Sequence, residues 1–385
     1  MRNLTSLMLA LFVISTYTMS NQAQEGGLLL LPNDLTSKAI IRSMDISNDG
    51  KYVIALAFYE DGQNASITTF LWNLDQVSSD QRVLPAFART DIMPFFTFRG
   101  NVAFSPDNQH FVTHTEDSLL IYKTSEIQLV SSYAISNNRS RTVAWSEDSQ
   151  LVGALYHNSS TDEQEFTVWD IANGDIYAET FDKLLPLFTK QLNDRWLFLD
   201  NDSNLHWCDL RLQQCDQWLS DGRQGDIVVG NNFFLQLTYL HDEQVELVFW
   251  EETPEGFAQN QRFASGIVKW DYLDAVSNNR QFVATFAYRW NILSGRLITN
   301  NLPAPPYLFT SDNRIVIAYD SRRLIGYDTN NGAEAFSVDL GNYLGTDTTG
   351  FFIEDKQLYK LSADEAFALV SFYNFAALVP IPPIQ

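Results

Sequence analysis

The chain has 385 residues, 45% of them hydrophobic and 14% aromatic, and a formal net charge of −22 at pH 7. That is enough apolar material for a large core, and a surface this acidic repels phosphate, which argues against nucleic acid and anionic membrane as partners and favours cations and basic proteins. With 27 Phe, 16 Tyr and 9 Trp and only 19% charged residues, the composition points to strands over helices.

At the N-terminus, Arg2 precedes the apolar run 4–17 (LTSLMLALFVISTY), and small or polar residues follow through Ala23. A basic start, an apolar core of this length and a polar exit predict a secretory signal peptide over residues 1–23, cut after Ser20 or Ala23. No Cys stands at the exit to carry a lipid. No later segment reaches the roughly 18 apolar residues of a membrane span, so no membrane insertion is predicted. The expected organisation is a signal peptide (1–23), one domain (24–379) and a Pro-rich tail (380–385), with the mature protein extracellular or periplasmic.

From residue 44 onward one arrangement recurs. MDISNDG (44–50) leads to an apolar run at 52–58 and then FLWN (70–73). VAFSPDN (102–108) leads to Phe111 and Val112 and then LLIY (119–122); VAWSED (143–148) leads to 151–156 and then VWD (168–170). AVSNN (275–279) and FTSDN (309–313) open two further copies, which end in WN (290–291) and GYD (326–328). Where the pattern is S-x-D-G/N, Ser and Asp bond nearby amides and Gly or Asn tolerates positive φ, so the polar stretch reads as a tight turn between strands. Aligning the residue that ends the third apolar run gives Trp72, Tyr122, Trp169, Cys208 beside Trp207, Trp250, Trp290, Tyr327 and Tyr359, spaced 32 to 50 residues apart. Short strands recurring at this period make four-stranded units. A sheet with two apolar faces cannot bury both alone, so the units are expected to close into a ring in which neighbours cover each other. Eight columns predict eight blades. Seven is the alternative, because 279–290 leaves little room for two strands and a turn and that blade reads as degenerate. Ring closure requires one terminus to complete a sheet, and residues 28–31 and 367–373 are the candidates. The best helical candidate, 363–370, reads equally as a final strand.

The segments VAFSPDN…LLIYKTSE and VAWSEDS…FTVWDIANG resemble WD40 repeats, strongly over 44–182 and weakly elsewhere. Trp169-Asp170 is the W-D pair in register, Trp270-Asp271 lies out of register, and no G-H dipeptide occurs. The resemblance implies an all-β, divergent WD40-like β-propeller, and with it a platform for binding other proteins.

Cys208 and Cys215, in HWCDLRLQQCDQW, are expected to face each other across a hairpin and form a disulfide. Three observations bear on chemistry. His110 and His114, four apart on a strand, share a face about 13 Å apart, too far to hold one metal. Asp200, Asp202 and Asn204 alternate as oxygen ligands do in calcium loops, but Leu205 and Arg211 stand where such loops place Gly and Glu, so a turn is the favoured reading and no metal is assigned. No G-x-S-x-G elbow or P-loop occurs. The long connection PAFARTDIMPFFTFRGN (85–101) mixes aromatic residues with Arg, the types enriched at binding hot spots; Arg89, Phe95, Phe96 and Arg99 are its candidate partner-binding residues. N-x-S sequons begin at Asn64, Asn138, Asn158 and Asn201.

These readings lead to one expectation: an exported, monomeric propeller that binds another protein, has no cofactor and does no chemistry. The alternative is a propeller enzyme or carbohydrate-binding protein whose central funnel gathers acidic side chains.

Overall fold

The computed structural model describes residues 28–382 except 31–38, 62–63, 77–81, 94–99, 116, 136–137, 159–162, 182–183, 193–194, 201–204, 219–226, 230–232, 240–244, 254–255, 266–272, 278, 286–288, 292–295, 300–307, 321–322, 341–358, 363 and 373–374. The described strands form eight sheets, seven of four strands and one of five. Each of the first seven is antiparallel and made of strands consecutive in the chain, except that Arg82–Val83 intervenes before the last strand of the first, and we number the sheets in chain order. In sheet 1 the strands are Ala39–Ile46, Tyr52–Asp61, Asn64–Asn73 and Phe87–Met93. Sheet 2 holds Ala103–Phe104, His110–His114, Ser118–Lys123 and Gln128–Ala134; sheet 3 holds Asn138–Trp145, Leu151–Asn158, Gln164–Asp170 and Ile176–Phe181. Sheets 4 to 7 continue the series, from Leu184–Leu192 to Glu334–Asp339.

Sheet 8 closes the ring. Its strands Tyr359–Leu361, Phe367–Phe372 and Phe375–Pro380 are C-terminal, and the N-terminal strand Leu28–Leu30 lies antiparallel to Phe375–Pro380. Arg82–Val83 then adds in parallel to Leu28–Leu30 as a fifth strand. Both termini named in the sequence reading therefore meet in one sheet. Leu30 is fully buried there, so the closing strand contributes to the core as well as covering an edge.

The first strands of successive sheets adjoin one another through sheets 8, 1, 2, 3 and 4 and again through 5, 6 and 7, which places them around the axis. Apolar clusters fill the seams. Along Tyr52–Asp61, Val53, Ala55 and Ala57 pack with Leu369, Ala376 and Leu378 of sheet 8, whereas Ile54 and Leu56 pack with Phe111, Leu120 and Tyr122 of sheet 2. Leu151–Asn158 repeats the pattern, with Val152, Ala154 and Tyr156 toward sheet 2 and Leu151 and Leu155 toward sheet 4. Successive side chains point to opposite faces of a strand, so an unbroken apolar run serves two seams at once. Another cluster joins Ile315, Ile317 and Tyr319 of sheet 7 to Val370 and Val379 of sheet 8 and also takes in Ile381. Each large side chain buried in this way is worth about 1.5–3 kcal/mol.

The repeated turn has one geometry. Ser47, Ser105, Ser146, Ser277, Thr310 and Ser362 each donate their hydroxyl to the Asp or Asn two residues on and accept the amide five residues on. The fourth residue lies at positive φ: Gly50, Asn108, Ser149, Arg280, Asn313 and Glu365. A side chain is useful there despite the strain. Asn108 and Ser149 accept the amides of Asn48 and Asp107, and Asn313 accepts that of Asn279, each from the turn of the preceding sheet. Glu365 likewise accepts the Ser311 amide.

Two expectations are corrected. Sheet 6 is complete, with strands Leu273–Val276, Phe282–Thr285, Arg289–Asn291 and Arg296–Thr299; strands this short fit the space that the spacing made look insufficient. Tyr359 does not end a third strand but opens sheet 8 on its first strand, so the eighth column was out of register. The other seven members of the column all sit on third strands, and Trp72, Tyr122, Trp169, Cys208 and Trp250 are buried.

Candidate functional site

The acidic residue after that column has a local role. Asp170 accepts the amides of Ala172 and Asn173, and Asp328 and Asp209 do the same for the turns that follow them. Arg211 of sheet 4 reaches Asp170 at 3.5 Å. Burial pushes the Asp170 carboxyl up, but the Asn173 amide, Arg211 and further turn bonds outweigh this and hold it below the usual range. The W-D acid is thus a turn cap at the seam of sheets 3 and 4.

The connection 85–101 is not a free loop throughout. Phe87–Met93 is the outermost strand of sheet 1, paired with Asn64–Asn73. Arg89, on this strand, donates to Asp91 at 3.1 Å and to the Tyr122 hydroxyl of sheet 2 at 2.9 Å. Its guanidinium ties two sheets together, with the Asp91 bond the largest influence in raising its pKa. Phe95, Phe96 and Arg99 lie outside the described residues. Asp202 and Asn204 do also, and Asp200 ends the strand Arg195–Asp200. Among the described residues no three His, Cys, Asp or Glu side chains gather as a metal site. Residues 1–23 are likewise outside them. No helix among the described residues is long and apolar enough to cross a membrane.

Cys208 and Cys215 are directly opposed on Leu205–Asp209 and Cys215–Trp218 and are joined by a disulfide. His110 and His114 share the strand His110–His114. His110 stacks on Trp145 of sheet 3, and burial lowers its pKa. His114 is buried and, for the same reason, titrates only at about 3.

The seam between sheets 2 and 3 opens on the circumference into a groove of about 430 Å³. Its back wall is the sheet-2 side of sheet 3. Register places Tyr156 opposite Glu165, Ala154 opposite Thr167, Thr167 opposite Ala178, and Trp169 opposite Ile176. The middle row, Ala154–Thr167–Ala178, is made of small side chains between bulky rows, so the face is hollow there. Ser132, Tyr133 and Ala134 of the outermost strand of sheet 2 form the front wall. The Tyr133 and Trp169 rings lie 5.3 Å apart, and Tyr156 meets Trp169 edge-on at 5.8 Å. Thr167 donates its hydroxyl to Glu165 at 2.9 Å. The Tyr156 hydroxyl is buried without a hydrogen-bond partner among the described residues. Burial, with the Glu165 charge second, raises its pKa far above normal, so the phenol stays neutral. Ile176 at the mouth is 59% exposed, with Leu129 and Val130 on the sheet-2 strand also exposed. Aromatic walls, one carboxylate and an unmet hydroxyl suit a site that binds and orients a ligand.

Sequence reasoning missed this groove. Trp169 stood out as half of the W-D pair, but Tyr156, Glu165 and Thr167 align with it only through register, and the signal for the hollow is two alanines.

No protein-family model matches the chain, and no curated protein does. Among solved structures it is similar to the computationally designed Ika8 protein, at 12% identity and a TM-score of 0.56 over 92% of this chain and 100% of that one. It is equally similar to the C-terminal WD40 domain of Sif2, at 12% identity and a TM-score of 0.56 over 92% of this chain and 99% of that domain. With its ring of sheets and its repeated turn, the chain has the fold of a divergent WD40-like β-propeller.

Proposed function

We propose that this chain is an exported propeller that serves as an interaction scaffold for another protein, acting as a monomer and without catalysis of its own. WD40-type propellers work mainly as such platforms, which is an argument from fold. The observation that carries the reading to this molecule is the groove between sheets 2 and 3, where aromatic and apolar side chains at an open mouth surround a buried hydroxyl that has no partner among the described residues. Export rests on the basic and apolar N-terminal 23 residues and their polar exit. An acidic catalytic or sugar-binding funnel has less support: Asp45, a carboxylate on a first strand, is held by Lys360 at 2.7 Å and by the Phe104 amide at 2.8 Å.

The test is affinity capture from the native extracellular fraction on immobilised mature chain, with cross-links mapped onto it. The reading expects one retained protein, cross-linked within residues 128–135 or 152–180, and a mature N-terminus after Ser20 or Ala23. Retention of nothing above a control surface overturns it.

A further inference from the structure

The chemistry of the groove between sheets 2 and 3 narrows what it can hold, if the scaffold reading of that groove is correct. Its polar lining is rich in acceptors. The Glu165 carboxylate lines the groove as an acceptor. Thr167 has committed its hydrogen to Glu165 and keeps its lone pairs. The Tyr156 oxygen offers lone pairs at a position where no protein donor reaches it among the described residues. Beside these lie the rings of Tyr133 and Trp169, whose faces attract a cation. The chain as a whole carries a net charge of −22.

We propose that the groove receives the guanidinium of an arginine side chain presented by a basic partner protein. A guanidinium is planar, has five N–H donors and no acceptor, and stacks on aromatic faces. It therefore answers the oxygens of Glu165, Thr167 and Tyr156 beside two aromatic rings in a way that a neutral sugar, which has no charge to offer the carboxylate, or an anion does not. A lysine ammonium meets the charge but has no plane to lay against Tyr133 or Trp169. The small side chains of Thr167 and Ala178 in the groove wall give the flat group its space.

The probe is N-acetyl-arginine methylamide, titrated into the full mature chain and followed by NMR of the tryptophan indole N–H groups, with the uncharged citrulline analogue and a neutral disaccharide alongside. The arginine compound is expected to bind at millimolar concentration and to shift the Trp169 resonance, with the citrulline analogue at least tenfold weaker. Tyr156→Phe and Glu165→Gln each remove an acceptor or its charge and should weaken binding tenfold or more. Ala178→Leu fills the hollow from an exposed position, so it tests the site without disturbing a buried group and should abolish the shift. Equal binding of citrulline, preferential binding of the disaccharide, or arginine binding unchanged in all three variants overturns the inference. A partner captured equally well by wild type and all three variants leaves the scaffold reading standing and overturns this one. Arginine binding in the groove with no partner retained does the reverse.

Discussion

A single serine hydroxyl organises each repeated turn. In sheet 3, Ser146 is buried, donates to Asp148 at 2.6 Å and accepts the Leu151 amide at 2.8 Å. Ser146→Ala leaves a buried amide without its acceptor and should destabilise the protein by about 1–3 kcal/mol, read as a lower midpoint in urea with unchanged slope. His114 makes a second residue-level test. Its imidazole is buried on His110–His114 opposite Leu119, and desolvation lowers its pKa from the usual 6.5 to about 3. The folded state therefore resists a proton that the unfolded chain takes up near its ordinary pKa. Stability from this group is complete above about pH 6.5 and is lost as pH falls from there toward 3. At pH 5 the loss for this one group is on the order of 2 kcal/mol. Urea unfolding of wild type and His114→Gln at pH 7 and pH 5 should show the wild type losing more stability between the two pH values, and equal losses would refute the assignment.

At the scale of elements, ring closure is the vulnerable point. Leu28–Leu30 covers the edge of Phe375–Pro380, and Leu30 is fully buried in the seam between sheets 8 and 1. Leu30→Ala should cost about 2–5 kcal/mol through the cavity it leaves. The strand makes only three register pairs with Phe375–Pro380 and two with Arg82–Val83, so the variant should also loosen this edge and aggregate on mild heating, as followed by light scattering. An equivalent substitution in a four-stranded sheet with no terminal strand, such as Ile317→Ala in sheet 7, should destabilise without that aggregation. The same elements show how much of the fold was legible. The turns were where Ser, a spacer, Asp and then Gly or Asn occur, as at 47–50 and 105–108; Thr310, Asn279 and the positive-φ residues Ser149, Arg280 and Glu365 depart from that pattern and keep the same geometry. The third strands were, because most end on a large side chain, of which Trp72, Tyr122, Trp169 and Trp250 are buried. The outermost strands were not: Gln128–Ala134 and Ile176–Phe181 are mostly exposed, so nothing forces an apolar alternation on them. For that reason the strand Phe87–Met93 read as a connection. The groove inherits this blindness, since its front wall is one of those outermost strands and its back wall becomes a surface only when three strands are placed in register.

At the scale of the whole molecule, the net charge of −22 and the groove make separable contributions to binding. The general field acts at a distance and is screened over about 10 Å in 0.1 M salt, so it governs how often a basic partner arrives. Glu165 acts in contact and, inside a groove, is screened less, so it governs how long the partner stays. For the captured partner, raising NaCl from 25 to 500 mM should lower the association rate roughly tenfold or more while changing dissociation much less. Glu165→Gln changes the formal charge by only one and should do the opposite, speeding dissociation with little effect on arrival. Stopped-flow or surface-based kinetics would separate the two rates. Salt and the Glu165→Gln substitution acting on the same rate constant would mean that the partner senses Glu165 only as part of the acidic surface, and that the groove is not where it docks.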